Sequence, residues 1–177
     1  MRFRRAEQRD IPAVVDLSGR VQERLTASGS LQEFGPIPAE TVSAHVGART
    51  AFVLEDDAAL TGGVFVEPCV SPVTAGLPEM LDRWGLDVSD SGLWFLQKLM
   101  VAPAAQGKMI GRVLLDDALN HVADRGAGQV VLDCWAGNAK LREFYTNAGF
   151  RLHGVFPEKD YEVAVFIRNL RRQTGSS

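Results

Sequence analysis

Cysteine is scarce in this chain, which has two among its 177 residues. Cys69 and Cys134 lack the spacing of a metal site, and two thiols do not make a disulfide framework. Positive charge is scarce as well, because 19 Lys and Arg residues face 22 Asp and Glu residues, for a formal net charge of −3. A chain without a basic excess is not expected to bind nucleic acid as its main partner.

Long apolar runs are also missing. The runs present are too short to span a bilayer, and the N-terminal segment MRFRRAEQRD has no apolar signal core. We therefore predict a cytoplasmic protein with no membrane partner. The 46% hydrophobic and 23% charged residues are typical of globular proteins. They predict one domain over residues 1–170, followed by a polar tail at residues 171–177.

Hydrophobic periodicity predicts several strands in the first half and a strand–helix–strand–helix series in the second, which indicates a mixed α/β sheet. The predicted strands are residues 3–6, 51–54, 60–66, 93–101, 130–135, 150–155 and 161–167. The predicted helices are residues 11–21, 38–46, 110–124 and a short helix between Asn138 and Gly149. Residues 69–92 form a long irregular segment with one possible helical turn at 78–84, and such segments are often functional.

The turn QGKMIGR at residues 106–112 carries the first chemical signal, because it joins an apolar strand to an amphipathic helix. If the helix begins near Lys108, unpaired N–H groups from Gly107 to Arg112 converge where the helix dipole adds positive charge. Such a turn is typical of a phosphate site, to which Lys108 and Arg112 add charge. A helix start with two incidental glycines is the alternative. The spacing matches neither a Walker loop nor a Rossmann turn.

The second signal is a tyrosine on the short helix that follows the next strand. Tyr145 shares one helix face with Leu141, Phe144 and Ala148. A phenol with a pKa of about 10 is protonated at neutral pH and can donate a proton to a leaving group. Tyr145 is therefore a candidate general acid, and a core aromatic is the alternative.

Around these two turns the sequence resembles the GNAT superfamily of N-acetyltransferases. Residues 99–103 (LMVAP) match the family's fourth strand, and residues 106–111 match its Gln/Arg-x-x-Gly-x-Gly/Ala turn. Residues 132–150 (LDCWAGNAKLREFYTNAGF) match its second motif. The turn departs from the family at Met109, which stands where the family usually has Gly. If Met109 has a helical φ, its side chain costs the backbone little, but it could still crowd the coenzyme.

The resemblance implies a GNAT-like mixed sheet, mostly antiparallel, of about six or seven strands flanked by about four helices. It implies acetyl-CoA as co-substrate, without a metal, and direct transfer of the acetyl group to a primary amine of a small molecule or peptide. It leaves a homodimer open as an assembly. The residues implied to bind the coenzyme are Leu99, Met100, Val101, Gln106, Gly107, Lys108, Met109, Ile110, Gly111, Arg112, Asn138 and Tyr145. Asn138 either touches the pantetheine arm or only caps its helix.

A base must also take a proton from the incoming ammonium, and two carboxylates are candidates. Strand alternation puts Asp133 on the face opposite Leu132 and Cys134. In the ribosomal-protein alanine acetyltransferases of this superfamily a Glu holds the matching place. An ordinary aspartate lies about six pKa units below an amine, so Asp133 would need burial, a water relay or a neutral amine. A solvent-facing carboxylate is the alternative for Asp133, and Glu67 is the rival base.

Two other hypotheses remain beside the enzyme. One is a binding module of the same fold that holds acyl-CoA without turnover, and the other is a generic α/β domain with neither activity. A covalent relay is not expected, because no Cys or Ser has the base and orienting partner that it needs. The acceptor is expected to enter opposite the coenzyme, over residues 21–37 and 69–92.

Overall fold

The computed structural model describes residues 1–89 and 92–170, and the predicted polar tail at 171–177 lies outside this part. The strands of the described part are β1 (Arg2–Arg5), β2 (Ala51–Asp56), β3 (Ala59–Pro68), β4 (Leu93–Val101), β5 (Gln129–Trp135), β6 (Arg151–Glu158) and β7 (Tyr161–Asn169). Its α-helices are α1 (Ile11–Ala27), α2 (Ala39–Gly47), α3 (Leu77–Arg83), α4 (Ile110–Ala123) and α5 (Ala139–Asn147).

The seven strands form one sheet in the order β1-β2-β3-β4-β5-β7-β6. Neighbouring strands are antiparallel except β4 and β5, which run parallel. This confirms the predicted mixed, mostly antiparallel sheet. No helix within residues 1–89 or 92–170 is both long and apolar enough to cross a membrane.

One more helix is present than the four expected, because α3 lies in the segment that the sequence left mostly irregular. Gly76 has φ of 79° and turns the chain into this helix, and Pro78 stands in its first turn. Leu77 and Leu81 are buried, so tertiary packing stabilises a helix too short for a strong periodic signal.

The parallel pair β4–β5 holds together over only three residues. Leu93, Trp94 and Phe95 pair with residues 129–131, and the pairing stops there. Beyond that point β5 stays paired with β7 up to Trp135, while β4 stays paired with β3 up to Val101. The sheet therefore opens into a gap between the two strands, which we call the β4–β5 wedge.

A bulge in β4 accompanies the wedge. Phe65 of β3 faces Gln97 and Gly63 faces Met100, so β4 has one extra residue between these pairs. Lys98, inside the bulge, has φ of 56°, which is uncommon for a residue with a side chain. A bulge bends its strand and increases the local twist, which fits the divergence of β4 from β5.

Helices cover both faces of the sheet. His45 of α2 stacks on Phe65, and His121 of α4 packs edge-on against Phe52, each with ring centroids 4.4 Å apart. Phe52 pairs with Val64, the neighbour of Phe65, so the two phenylalanines point to opposite faces. We call these the α2 face and the α4 face.

The same strand register shows which face of the sheet α3 and α5 cover. Phe95 pairs with Glu67 and so shares the α2 face, where Trp84 at the end of α3 packs on it at 6.4 Å. On β5, Leu132 pairs with Phe166, which touches Tyr145 of α5 at 6.0 Å on the α4 face. Because strand residues alternate, the neighbour of Leu132, Asp133, points to the α2 face.

Candidate active site

The β4–β5 wedge opens into a cavity of about 780 Å³. On the α4 face its wall comes from the turn before α4 and from α5. On the α2 face it comes from the segment after α1, from α3 and from the β6–β7 hairpin. One cavity thus reaches both faces of the sheet, and a donor and an acceptor could enter it from opposite sides.

The structure brings most of the sequence-predicted coenzyme residues to this wall. Ten of the twelve line the cavity: Leu99, Val101, Gln106, Gly107, Met109, Ile110, Gly111, Arg112, Asn138 and Tyr145. Met100 is not on the wall, because its side chain is fully buried in the core. Lys108 is exposed and is also absent from the wall.

The phosphate-type turn is open toward solvent. α4 begins at Ile110, the predicted first residue of this helix, and Gly107 has φ of 82° with nothing within 4 Å of where a Cβ would be. A Cβ on Gly111 would already lie 3.5 Å from Val101 and 3.7 Å from the Phe144 ring. The chain therefore has open space at Gly107 beside a wall that is otherwise packed, which leaves room for a pyrophosphate near the first-turn N–H groups of α4.

Positive charge near this turn comes from side chains and from the backbone. The Arg112 guanidinium donates to Asp116 at 3.1 Å and to the Asn147 carbonyl at 3.3 Å, so the ion pair partly neutralises its charge. The Gln106 amide donates to the Val101 carbonyl at 3.3 Å, on the strand edge expected to meet the pantetheine arm. Besides Arg112, the helix dipole and the exposed Lys108 contribute positive charge at this turn.

The condition under which the Met109 side chain would cost the backbone little, a helical φ, is not met. Its φ of 59° and ψ of 16° are left-handed, and its side chain is 73% exposed. A side chain in this conformation costs about 1–2 kcal/mol, which explains why Gly is usual at the matching position.

Replacing Met109 by Gly should therefore raise the free energy of unfolding by about 1 kcal/mol, measured by urea denaturation. Met109→Ala is the matched control, because it removes the long side chain but keeps the Cβ that causes the strain. Equal gains for both variants would place the cost in the side chain and contradict the backbone explanation. Calorimetry with acetyl-CoA on the same variants shows whether the side chain also crowds the ligand.

Asn138 acts as the predicted cap. Its Oδ1 accepts a hydrogen bond from the Leu141 N–H at 3.0 Å, and the residue also lines the cavity. The capping prediction is confirmed, and the placement is compatible with a contact to the coenzyme arm as well.

Tyr145 is both buried and on the cavity wall. Its ring packs against Phe144, Phe150 and Phe166 at centroid distances of 5.3 to 6.0 Å. Burial raises the pKa of Tyr145 well above its usual range, and the nearby Cys134 and Asp133 raise it further. The phenol therefore stays protonated and can donate a hydrogen bond over the whole working pH range.

Asp133 faces the same cavity from the other side of the sheet. It is half-buried on the wall, so it is not the solvent-facing carboxylate of the alternative interpretation. Burial raises the pKa of Asp133 to about 6; the charge of Glu158 raises it too, and Lys98 lowers it. Such a pKa suits a base that works near neutral pH.

Glu67, the rival base, is not on the cavity wall, so the structure does not support this candidate. Its carboxylate is fully buried and accepts hydrogen bonds from the Thr74 N–H at 3.2 Å and the Thr74 hydroxyl at 3.0 Å. His45 Nδ1 lies 3.6 Å away. Burial raises the pKa of Glu67 and lowers that of His45 to about 4. We therefore assign this pair a structural role in the packing of α2 on β3.

Lys98 is a site residue that the sequence analysis missed. The bulge directs its ammonium to the Phe34 carbonyl at 2.5 Å and holds it 4.8 Å from the centre of the Phe34 ring. Burial lowers the pKa of Lys98, although Asp133 and Glu33 raise it. Lys98 is the one charged residue in a mostly apolar predicted strand, and this was the available signal, since such a residue needs a partner inside the fold.

The segment of residues 28–38 lines the cavity on the α2 face, away from the 106–112 turn. Besides the Phe34–Lys98 contact, the Gln32 side chain accepts a hydrogen bond from the Trp135 N–H at 2.9 Å. Glu33 pairs with Lys159 at 3.3 Å. The segment is thus tied to β4, to β5 and to the turn between β6 and β7.

Comparisons with known proteins agree with this geometry. The family model described as Acetyltransferase (GNAT) family matches residues 24–150. The chain is similar to a GNAT-family acetyltransferase structure from Listeria monocytogenes 4b F2365, with a TM-score of 0.75, 20% identity and coverage of 96% of this chain and 94% of that chain. It is also similar to yncA from Salmonella typhimurium, solved with its cofactor acetyl-CoA (TM-score 0.70, 17% identity, 100% and 98% covered). At such identities these structures show the fold alone.

A curated relative is similar over a shorter stretch. A mycothiol acetyltransferase from Beutenbergia cavernae (strain ATCC BAA-8) is 32% identical over 102 residues, which are 56% of this chain and 34% of the relative. The match therefore spans about a third of the relative's length.

Proposed function

This chain belongs to the acetyltransferase (GNAT) family, and we propose that it transfers the acetyl group of acetyl-CoA directly to the primary amine of a small molecule or peptide. The observation that carries this proposal is the single cavity through the β4–β5 wedge. An anion-binding helix start lines it on the α4 face, and Asp133 lines it on the α2 face. A cytoplasmic location and a single domain over residues 1–170 are part of the proposal.

The coenzyme end is formed by backbone groups. The N–H groups at the start of α4 would bind the pyrophosphate, and the β4 edge from Leu99 to Val101 would pair with the pantetheine arm as an added strand. The β4–β5 pairing ends at Phe95, so this edge has no strand partner on the β5 side within the described part of the chain. Acetyl-CoA supplies an activated acyl group as a thioester.

Proton transfer is assigned to the two side chains on opposite faces. Asp133 takes a proton from the ammonium of the acceptor, and the neutral nitrogen attacks the thioester carbonyl. The backbone of β4 stabilises the resulting oxyanion. The carbon–sulfur bond then breaks, and the Tyr145 hydroxyl gives a proton, or a hydrogen bond, to the leaving thiolate. The second proton of the attacking nitrogen balances this step, because it either replaces the proton that Tyr145 gave or passes to the thiolate, which leaves a neutral amide and a neutral thiol.

The elevated pKa of Asp133 reduces the cost of the first proton transfer. An amine with a pKa near 10 lies about six units above an ordinary aspartate, a mismatch of about 8 kcal/mol. With its pKa at about 6, Asp133 faces a mismatch of about four units, or about 5 kcal/mol. That remaining barrier is compatible with turnover numbers that are common for enzymes.

Charge around the acceptor end favours a cationic amine. Three carboxylates from different elements line it: Glu33, Asp133 and Glu158. Lys98 is the cation on the same part of the wall. The ammonium of Lys98 is already bound to Phe34. Glu33 is paired with Lys159, so the three carboxylates exceed the two ammonium groups by one charge, and an acceptor arriving as an ammonium ion would meet a net negative wall.

A binding module without turnover is the second candidate, and the strained Met109 at the turn favours it, because that residue departs from the family pattern at the coenzyme site. A thiol-release assay with acetyl-CoA and a panel of primary amines, together with acetyl-CoA calorimetry, separates the two. We expect coenzyme binding and thiol release that requires an amine. Tight binding without thiol release on any amine would favour the module, and absence of binding would contradict both.

A further inference from the structure

A second cavity of about 770 Å³ lies beside the first, on the α2 face. It is bounded by α2, by β3 and by the second half of the 28–38 segment. None of the residues of the 106–112 turn lines it. It is therefore separate from the proposed coenzyme end, and its neighbour is the acceptor end.

The two cavities share part of their walls. The five residues that line both are Glu33, Phe34, Thr74, Gln97 and Lys98. Two contacts join these residues across the boundary: the Lys98 ammonium to Phe34, and the Gln97 amide to the Thr74 hydroxyl at 2.7 Å. The boundary is thus made of side chains from β4 on one side and of loop residues on the other.

Phe34 is the bulky member of this boundary, and it is held from three directions. Its N–H donates to the Gln22 side chain at 2.5 Å, its carbonyl accepts from Lys98, and its ring lies beside the Lys98 ammonium. Lys98 is itself fixed by the bulge in β4. These contacts fix the Phe34 backbone and place its ring beside Lys98, at the boundary that the two cavities share.

We propose that the Phe34–Lys98 pair is a specificity determinant that closes the acceptor end and limits the acceptor to compact amines. This inference rests on the proposed function and specifies the size of its substrate. An acceptor with a short body fits between Asp133 and the Phe34 ring. A longer body meets the ring and is excluded from the second cavity, whose Pro36, Ile37 and Phe65 would otherwise suit an apolar chain.

The test uses unbranched primary amines from ethylamine to octylamine, with kcat/KM measured by thiol release. In the unmodified protein, each methylene beyond the longest chain that fits between Asp133 and the Phe34 ring should lower kcat/KM by about 10-fold or more. A packed wall discriminates single methylenes to this extent. Phe34→Ala should raise kcat/KM for the longest amines by about 10-fold or more and leave ethylamine within about 3-fold. A gain of this kind cannot come from misfolding.

Two further variants test whether the gain in kcat/KM for long amines comes from access to the second cavity. Leu31→Ala is the matched control, because Leu31 is 58% exposed on the same segment and lines neither cavity. It should leave the chain-length profile unchanged. Adding Ala44→Trp to Phe34→Ala should cancel the gain, since Ala44 is exposed on α2 and lines the second cavity only.

The outcomes are distinct from those that test the proposed function. Turnover of short amines with the same length profile in Phe34→Ala would overturn this inference and leave the acetyltransferase proposal standing. Equal use of long and short amines by the unmodified protein would overturn it as well. Absence of thiol release with every amine would overturn the proposed function, and this inference with it.

Discussion

Asp133→Asn should lower kcat/KM for the amine by about 10³-fold and abolish the acid limb of the pH–rate profile. The amide has nearly the shape of the carboxylate but cannot accept the ammonium proton. In the unmodified protein the base works only when ionised. Because burial raises the pKa of Asp133 to about 6, activity should fall as the pH drops through about 6. A pH series of kcat/KM measures both effects.

Two glutamates on the neighbouring hairpin provide controls for this result. Glu158→Gln should move the acid limb to lower pH, because the negative charge of Glu158 raises the pKa of Asp133. Glu162→Gln should leave the limb in place, because Glu162 is exposed and does not line the cavity. A variant Asp133→Asn that keeps both its rate and its acid limb would show that another group takes the proton.

Tyr145→Phe should lower kcat by about 10²-fold and leave the acetyl-CoA dissociation constant nearly unchanged. The substitution keeps the ring and its three aromatic contacts, so only the hydroxyl is lost. Because the pKa of Tyr145 lies well above its usual range, its deprotonation should produce no alkaline limb in the accessible pH range.

Tyr161→Phe is the matched control, because it removes the chain's other tyrosine hydroxyl from the acceptor end of the same cavity. It should change the KM for the amine more than kcat. Stopped-flow thiol release and acetyl-CoA calorimetry on both variants separate these outcomes. An unchanged kcat in Tyr145→Phe would remove the phenol from the mechanism and support its interpretation as a core aromatic.

The family, the sheet and most elements could be predicted because their signals are local. β4 spans the predicted residues 93–101, and α4 ends within one residue of its predicted end, since apolar runs and helical spacing are properties of adjacent residues. The turn at residues 106–112 and the cap at Asn138 also depend on short-range geometry. The residues proposed to bind the coenzyme could therefore be predicted from short stretches of sequence.

Residues 21–37 and 69–92 were predicted to meet the acceptor, but the arrangement of side chains on that side of the cavity could not be predicted, because it depends on pairing between distant strands. The three-residue pairing of β4 with β5 and the bulge at Lys98 are set by register, which the sequence of one strand does not reveal. In the sequence, Asp133 and Glu67 are both carboxylates on predicted strands. In the fold, Asp133 faces the wedge, whereas Glu67 is buried and accepts a hydrogen bond from Thr74. The sequence does not indicate the contact of Phe34 with Lys98, because the two residues are 64 positions apart.

A crystal structure of the chain with coenzyme A tests the central claim most directly. The account predicts the pyrophosphate within about 3 Å of N–H groups between Gly107 and Arg112, and the sulfur in the β4–β5 wedge between Asp133 and Tyr145. A coenzyme bound outside the cavity, or a sulfur that reaches neither side chain, would contradict it.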